Sequence, residues 1–185
     1  PYELNISWWS AMEDSSRDAK RFQYERFILS QLLVMALKGV PAFYLPALLA
    51  SENDIKSFSM TGQRRDLNRE KFKSENLSAV LNNPESNANK NLKYLRNAMD
   101  VRSELKQFHP CSQMKCLSKG RSDIVVIKRG KGPESVFAIH NMTENKINYQ
   151  LNDNDLPKII DNDFNTHDFL TSTKYNCKNI SLDPF

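Results

Sequence analysis

The sequence predicts an α/β region followed by a small antiparallel β domain. Three observations carry that prediction. Residues 17–38 have apolar side chains at helical spacing, and Gly39 ends the pattern. Residues 40–45 then form an apolar run with little polar alternation, leading into a long polar loop. Beyond residue 120 the chain turns to short β runs joined by Gly and Pro. Helix, glycine turn, short apolar strand, loop and helix is the order of an α/β fold. Short runs joined by turns make hairpins and meanders.

Taken in order, residues 1–14 read as loop, with two adjacent aromatics at Trp8 and Trp9. Ser15 and Ser16 offer an N-cap for a helix over 17–38. Phe22, Phe27, Ile28, Leu32, Met35 and Ala36 form its stripe, and Arg21 and Glu25 face each other at i,i+4 on its wet side. Residues 28–37 are apolar nearly all round, so that half is expected to be covered on more than one side. The run 40–45 reads as a parallel strand buried on both faces, with Pro41 near its start, where proline is tolerated. The loop after it carries Arg64, Arg65 and Arg69 and ends at a new helix. Asn82, Asn83 and Pro84 read as the cap and first turn of another helix. Its stripe is Leu92, Leu95, Met99, Leu105 and Phe108, ending near His109-Pro110.

The domain boundary falls between 110 and 120, giving a first domain over 1–112 and a second over 113–185. Residues 123–129 and 135–141 are β runs joined by Gly130-Lys131-Gly132-Pro133, and residues 146–151 alternate. These predict a small antiparallel sheet or β-sandwich.

Composition narrows the function classes. The chain has 185 residues, 39% hydrophobic and 26% charged, with a mean hydropathy of −0.61. That is a polar but ordinary globular balance. The net charge of +4 is small, and bases alternate with acids, as in Arg17-Asp18 and Arg69-Glu70. This patterning speaks against a nucleic-acid partner. The longest apolar run, 27–37, is broken by Ser30 and Gln31. It falls far short of the ~20 residues of a membrane span, so no membrane partner is expected. Three cysteines, an odd and sparse set, suggest reduced thiols in a cytoplasmic protein. His109, Cys111 and Cys116 do not have the spacing of a zinc knuckle.

Four ordered motifs carry a family resemblance. They are Tyr2-Glu3-Leu4-Asn5, the run 39–44 (GVPAFY), the run 48–54 (LLASEND) and the run 62–69 (GQRRDLNR). Together they resemble the sucrose phosphorylase group of the α-amylase superfamily, glycoside hydrolase family 13. The match covers the first two-thirds of the chain, and the β part resembles that group's C-terminal sheet domain. The resemblance implies that residues 17–45 are the seventh helix and eighth strand of a (β/α)8 barrel, closed by the helix over 84–109. A whole barrel needs ~250 residues, so a C-terminal portion is implied. It further implies a retaining reaction with two carboxylates, phosphate being the incoming group. In the family the nucleophile, the acid/base and a stabilising aspartate all precede the position of Pro1. The chain alone is therefore expected to be inactive. Residues 180–185 resemble the lead-in to a further strand.

The same resemblance assigns substrate-binding residues. Arg65 matches the family arginine that contacts the glucosyl unit and pairs with an acid. A rigid guanidinium fork can hold a carboxylate and a sugar hydroxyl at once. Arg69 is expected to cap or pair within the following helix, with Glu70 or another acid. Tyr2 and Glu3 match a loop that shapes the acceptor and phosphate site, where a phenol can bond phosphate or an acceptor hydroxyl. Sucrose phosphorylases usually carry glutamine where Glu3 stands. That departure speaks against sucrose; a carboxylate there accepts bonds from hydroxyls and repels anions, which favours a neutral polyol such as glycerol over glycerate. The implied partners are a small sugar and inorganic phosphate, with no metal or organic cofactor.

Other signals are set aside. His167-Asp168 reproduces a family catalytic dipeptide but lies in the β part. Gly130-Lys131-Gly132 lacks a third glycine and a following helix, so it reads as a turn. Asn141-Met142-Thr143 is a formal glycosylation site that a cytoplasmic protein would not use. Trp8-Trp9 could stack on a sugar or simply pack. Two rival functions are a hydrolase or transglucosidase of the same superfamily, and a non-catalytic carbohydrate-binding or interaction module. The acceptor loop at Tyr2-Glu3 opposes the first. The all-round apolar 28–37 opposes the second, because a self-contained module would have to hide that surface.

Overall fold

The computed structural model describes residues 3–14, 16, 18, 20–118, 120–152, 154, 156 and 165–185. Helices among them are α1 (Gln23–Ala36), α2 (Leu45–Leu48), α3 (Ile55–Thr61), α4 (Ser74–Asn82) and α5 (Asn87–Glu104). Strands are β1 (Met114–Cys116), β2 (Ile124–Arg129), β3 (Val136–Asn141), β4 (Ile147–Tyr149), β5 (Asn165–His167), β6 (Lys174–Asn176) and β7 (Ile180–Leu182). The chain divides into two compact units. One holds Pro1–Gln31 and Ala42–Arg96; the other holds Leu32–Pro41 and Asn97–Phe185.

In the first unit, Trp9, Phe27, Ala47 and Ala50 form a buried cluster with Met12 and Tyr24 against it. Trp9 meets Phe27 and Tyr24 edge-on at ring-centroid distances of 5.3 and 6.3 Å, a favourable aromatic geometry. Packing therefore accounts for Trp9. Trp8 is partly exposed, and its indole N–H donates to Ser30 Oγ at 2.8 Å. Asn91 of α5 is fully buried. Its amide donates to the carbonyls of Ala47 and Leu48 at 3.1 and 2.7 Å, which satisfies helix-end acceptors of α2.

The expected helix over 17–38 forms from Gln23. Phe22, just before it, takes a left-handed backbone with φ 57°, which cannot continue a right-handed helix. The helix expected from Pro84 begins at Asn87. Asn83 Oδ1 accepts the N–H of Glu85 in a local turn, and Ser86 Oγ then accepts the N–H of Asn89 as the working N-cap.

The expected strand over 40–45 does not form. Residues 40–44 pair with no strand among the described residues, and Leu45 starts α2 with Pro46 in its first turn. Val40 and Tyr44 are 79% and 56% exposed. A strand is held by its neighbour's ladder, and none of the described residues supplies one here.

The second unit is built on β2. The three-stranded sheet runs β1-β2-β3, antiparallel throughout. Ile124 pairs with Asn141 and Arg129 with Val136, so the β2–β3 hairpin follows the sequence reading closely. Alternate residues of β2 serve opposite faces. Ile124 and Val126 join Leu151, Cys177 and Ile180 in one core, while Ile127 and Arg129 are buried as well. Gly130, with φ +80°, sits where a Cβ would lie 2.9 Å from the Gln107 side chain. Both facts require glycine. The remaining strands form two-stranded sheets, β4 with β7 and β5 with β6. Residues 180–182, read as a lead-in, are themselves strand β7. The described residues thus give an α/β fold with small antiparallel sheets.

Arg129 is a fully buried arginine. Its guanidinium donates to the carbonyls of Ala36, Leu37 and His109 at 3.0, 2.6 and 3.0 Å. Arg102 donates to those of Met35 and Gly39 at 2.7 and 2.8 Å. Both guanidiniums lie 5.3 Å from the Phe108 ring centre. The last turn of α1 has no basic residue of its own. Two arginines from elsewhere in the chain satisfy the orphan carbonyls at its end and oppose its negative pole.

Candidate functional site

The loop that follows residues 40–44 is more regular than its polar composition suggests. Asp54 caps α3, its carboxylate accepting the Ser57 N–H at 2.9 Å and the Ser57 hydroxyl at 2.5 Å. These bonds lower the Asp54 pKa. Gly62 ends α3 in the left-handed region, φ 67°, and its N–H donates to the Phe58 carbonyl, the usual role of glycine at that place. A 3-10 turn, Arg64–Asn68, comes next.

Two hydrogen bonds fasten this loop to the N-terminal segment. The Ser7 N–H donates to Asn53 Oδ1 at 2.7 Å, and the Asn53 N–H donates to Ser10 Oγ at 3.1 Å. The Asp54 N–H then donates to the Leu67 carbonyl at 2.8 Å. One short stretch, Asn53-Asp54, therefore locks both the segment bearing Glu3 and the turn bearing the arginines.

The result is a three-charge cluster. Arg65 Nη2 lies 3.0 Å from Glu3 Oε2, and Arg69 Nη2 lies 3.6 Å from Glu3 Oε1. Both arginines are about half exposed and Glu3 is partly buried. Exposed ion pairs of this kind contribute only ~0–1 kcal/mol to stability. Their consequence lies in charge: two guanidiniums and one carboxylate leave a net +1. Arg69 departs from the sequence expectation, because residues 70–73 are not helical and its carboxylate partner is distant in the chain. Of the other assigned residues, Arg65 and Glu3 meet, whereas Tyr2 lies outside the described residues. The expectation of a neutral acceptor rests on a lone carboxylate, whereas Glu3 has two guanidiniums beside it.

The chain is similar to glucosylglycerate phosphorylase of Allomeiothermus silvanus, with 31% identity over 145 residues. That is 78% of this chain and 26% of the relative. The Escherichia coli glucosylglycerate phosphorylase is 31% identical over 111 residues, 60% of this chain and 20% of the relative. Sucrose phosphorylase of Streptococcus mutans is 23% identical over 155 residues, 83% of this chain and 29% of the relative. Over most of its length the chain is thus similar to the sucrose phosphorylase-like group of glycoside hydrolase family 13. It spans 20–29% of the length of these relatives. No protein-family model matches it. Among solved structures, trehalose-6-phosphate hydrolase of Bacillus licheniformis shares the fold. The TM-score is 0.60 at 15% identity, over 95% of this chain and 40% of that one.

The remaining sequence signals resolve into structure. Asp168 Oδ1 accepts the N–H groups of Leu170 and Thr171 in the β5–β6 turn, and the His167 ring lies 4.6 Å from Phe169. Asn141 is buried, its amide donating to the carbonyls of Asn145 and Asp183 at 2.7 and 2.9 Å. It is a structural tie rather than an acceptor for sugar. His109 Nδ1 accepts the Cys111 N–H at 3.2 Å in a turn. All three cysteines are free thiols, and burial pushes up the pKa of Cys177. Among the described residues no cluster of three His, Cys, Asp or Glu could hold a metal ion. No described helix is long and apolar enough to cross a membrane.

Proposed function

We propose that the chain is the carboxy-terminal portion of a retaining glycoside phosphorylase. It would contribute the closing segments of a (β/α)8 barrel over 1–112 and a small sandwich-like β domain over 113–185. The parent protein cleaves an α-glucoside with phosphate, giving glucose 1-phosphate and a free acceptor. A carboxylate attacks the anomeric carbon as a carboxylic acid protonates the leaving oxygen. A phosphate oxygen then displaces the enzyme carboxylate, and configuration is retained. Both carboxylates would come from the remainder of the protein, so the 185-residue chain alone is inactive.

The observation that carries this reading is the meeting of Glu3 with Arg65 at 3.0 Å. Two motifs far apart in the chain converge, as a shared glucosyl and acceptor site requires. In this reading Arg65 bonds glucosyl hydroxyls, and Glu3 and Tyr2 face the acceptor. A glycerate-type acceptor is supported by the names of the relatives and by the net positive cluster around Glu3. Free Cys111 and Cys116 at the surface suit a cytoplasmic parent.

The test is to incubate the full-length protein with glucosylglycerate, glucosylglycerol or sucrose, with and without phosphate. Phosphate-dependent release of glucose 1-phosphate, fastest from glucosylglycerate, is expected. Glucose release indifferent to phosphate would make the parent a hydrolase instead.

A further inference from the structure

We propose that Arg69 is a positioning residue that sets the charge preference of the acceptor site by acting through Glu3. The inference rests on the phosphorylase reading above and deepens it. Three observations support it. First, the arginines divide the carboxylate between them, Arg65 at Oε2 and Arg69 at Oε1. Each oxygen keeps lone pairs for an acceptor hydroxyl, and each is drawn electrostatically toward its own guanidinium. Second, Arg69 is the C-cap of the 3-10 turn Arg64–Asn68, with φ −129° and ψ 51°. The following helix begins only at Ser74, so Arg69 lies outside it. Third, an exposed pair adds little stability, so the pairing changes mainly the local field. With Arg69 the trio carries +1; without it the trio is neutral and one carboxylate oxygen faces the acceptor unopposed. A small anion such as glycerate is then repelled, and a neutral polyol is not.

The experiment uses the full-length protein in the synthetic direction, with glucose 1-phosphate as donor and glycerate or glycerol as acceptor. Arg69→Met is expected to raise KM for glycerate roughly tenfold, with kcat and the KM for glycerol within about twofold. Arg69→Lys should restore most of the glycerate affinity, because it returns the charge. In a Glu3→Gln background the Arg69→Met cost should fall below about threefold, since Arg69 then has no carboxylate to draw away from the anion. Equal losses with both acceptors, or the same cost in the Glu3→Gln background, would overturn the proposal. If the wild-type protein turns over without phosphate, it is the phosphorylase reading that falls. Calorimetric binding of glycerate and glycerol to the wild type and Arg69→Met then still decides the role of Arg69. An unfolding midpoint of Arg69→Met that matches the wild type separates loss of charge from loss of fold.

Discussion

Residues 40–44 and residues 124–129 are both short apolar runs that read as strands, and they end differently. The second run forms six register pairs with β3 and is buried on both faces. The first donates no backbone hydrogen bond among the described residues and leaves Val40 and Tyr44 in water. Apolar content does not separate them. What separates them is where the partner lies. The hairpin's partner begins seven residues downstream, across a connection that includes the turn Gly132–Glu134. A parallel strand needs a crossover connection to reach its neighbour. The run 40–44 thus has the pattern of a strand without a ladder among the described residues.

Amide hydrogen exchange tests this difference most directly. In the isolated chain, the amides of Val126 and Ile127 should exchange roughly 10³-fold more slowly than those of Phe43 and Tyr44. Comparable protection of both runs would mean that residues 40–44 have a partner after all. On the barrel reading proposed above, neighbouring strands cover the run in the full-length protein, and the gap should narrow there.

A second way to sharpen the contrast is to cut the tie between the two regions. Arg129, the last residue of β2, holds the Ala36 and Leu37 carbonyls just upstream of residues 40–44. Burial, and then the nearby charge of Arg102, lower its pKa, yet an arginine stays protonated. Arg129→Ala leaves three carbonyls without their donor and opens a cavity. It should cost about 3 kcal/mol in urea unfolding. Arg129→Lys keeps the charge without the fork and should recover only part of that loss. A loss below about 1 kcal/mol would show that water replaces the guanidinium without difficulty.

Legibility in the sequence followed the same division between local and distant partners. The β2–β3 hairpin was readable because Gly130, Gly132 and Pro133 supply turn chemistry between two apolar runs. The pattern of 40–45 was equally plain, but a pattern does not report whether a ladder is present. Asn83 and Ser86 are both competent caps, and which one starts the helix depends on the turn that Asn83 closes on Glu85. At the site, motif register pointed to Glu3 and Arg65. The partner of Arg69 was not readable, since adjacent Glu70 is the obvious choice and the tie through Asn53 that brings Glu3 near is tertiary. Trp8 and Trp9 are the same residue side by side, and the fold buries one of them.

The hairpin has a weak point of its own that the exposed run lacks. His140 of β3 is buried, and its Nε2 has no partner among the described residues. Burial holds its pKa down, from 6.5 to about 4. The imidazole is therefore neutral in the folded chain, while in the unfolded chain it binds a proton below pH 6.5. Between these values the unfolded state holds more protons, so stability falls as pH falls. The loss is about 2 kcal/mol at pH 5 and levels off below the folded value. The carboxylates with lowered pKa, Asp54, Glu85 and Asp123, have reference values of 3.8, 4.5 and 3.8. Their contributions are lost at lower pH, which leaves the range from 6.5 to 5 mostly to His140. Urea unfolding of His140→Phe across that range should have a flatter pH profile than the wild type. An unchanged slope would mean that the imidazole finds a proton acceptor in the folded hairpin and that the ladder of residues 124–141 is no more acid-sensitive than the open run at 40–44.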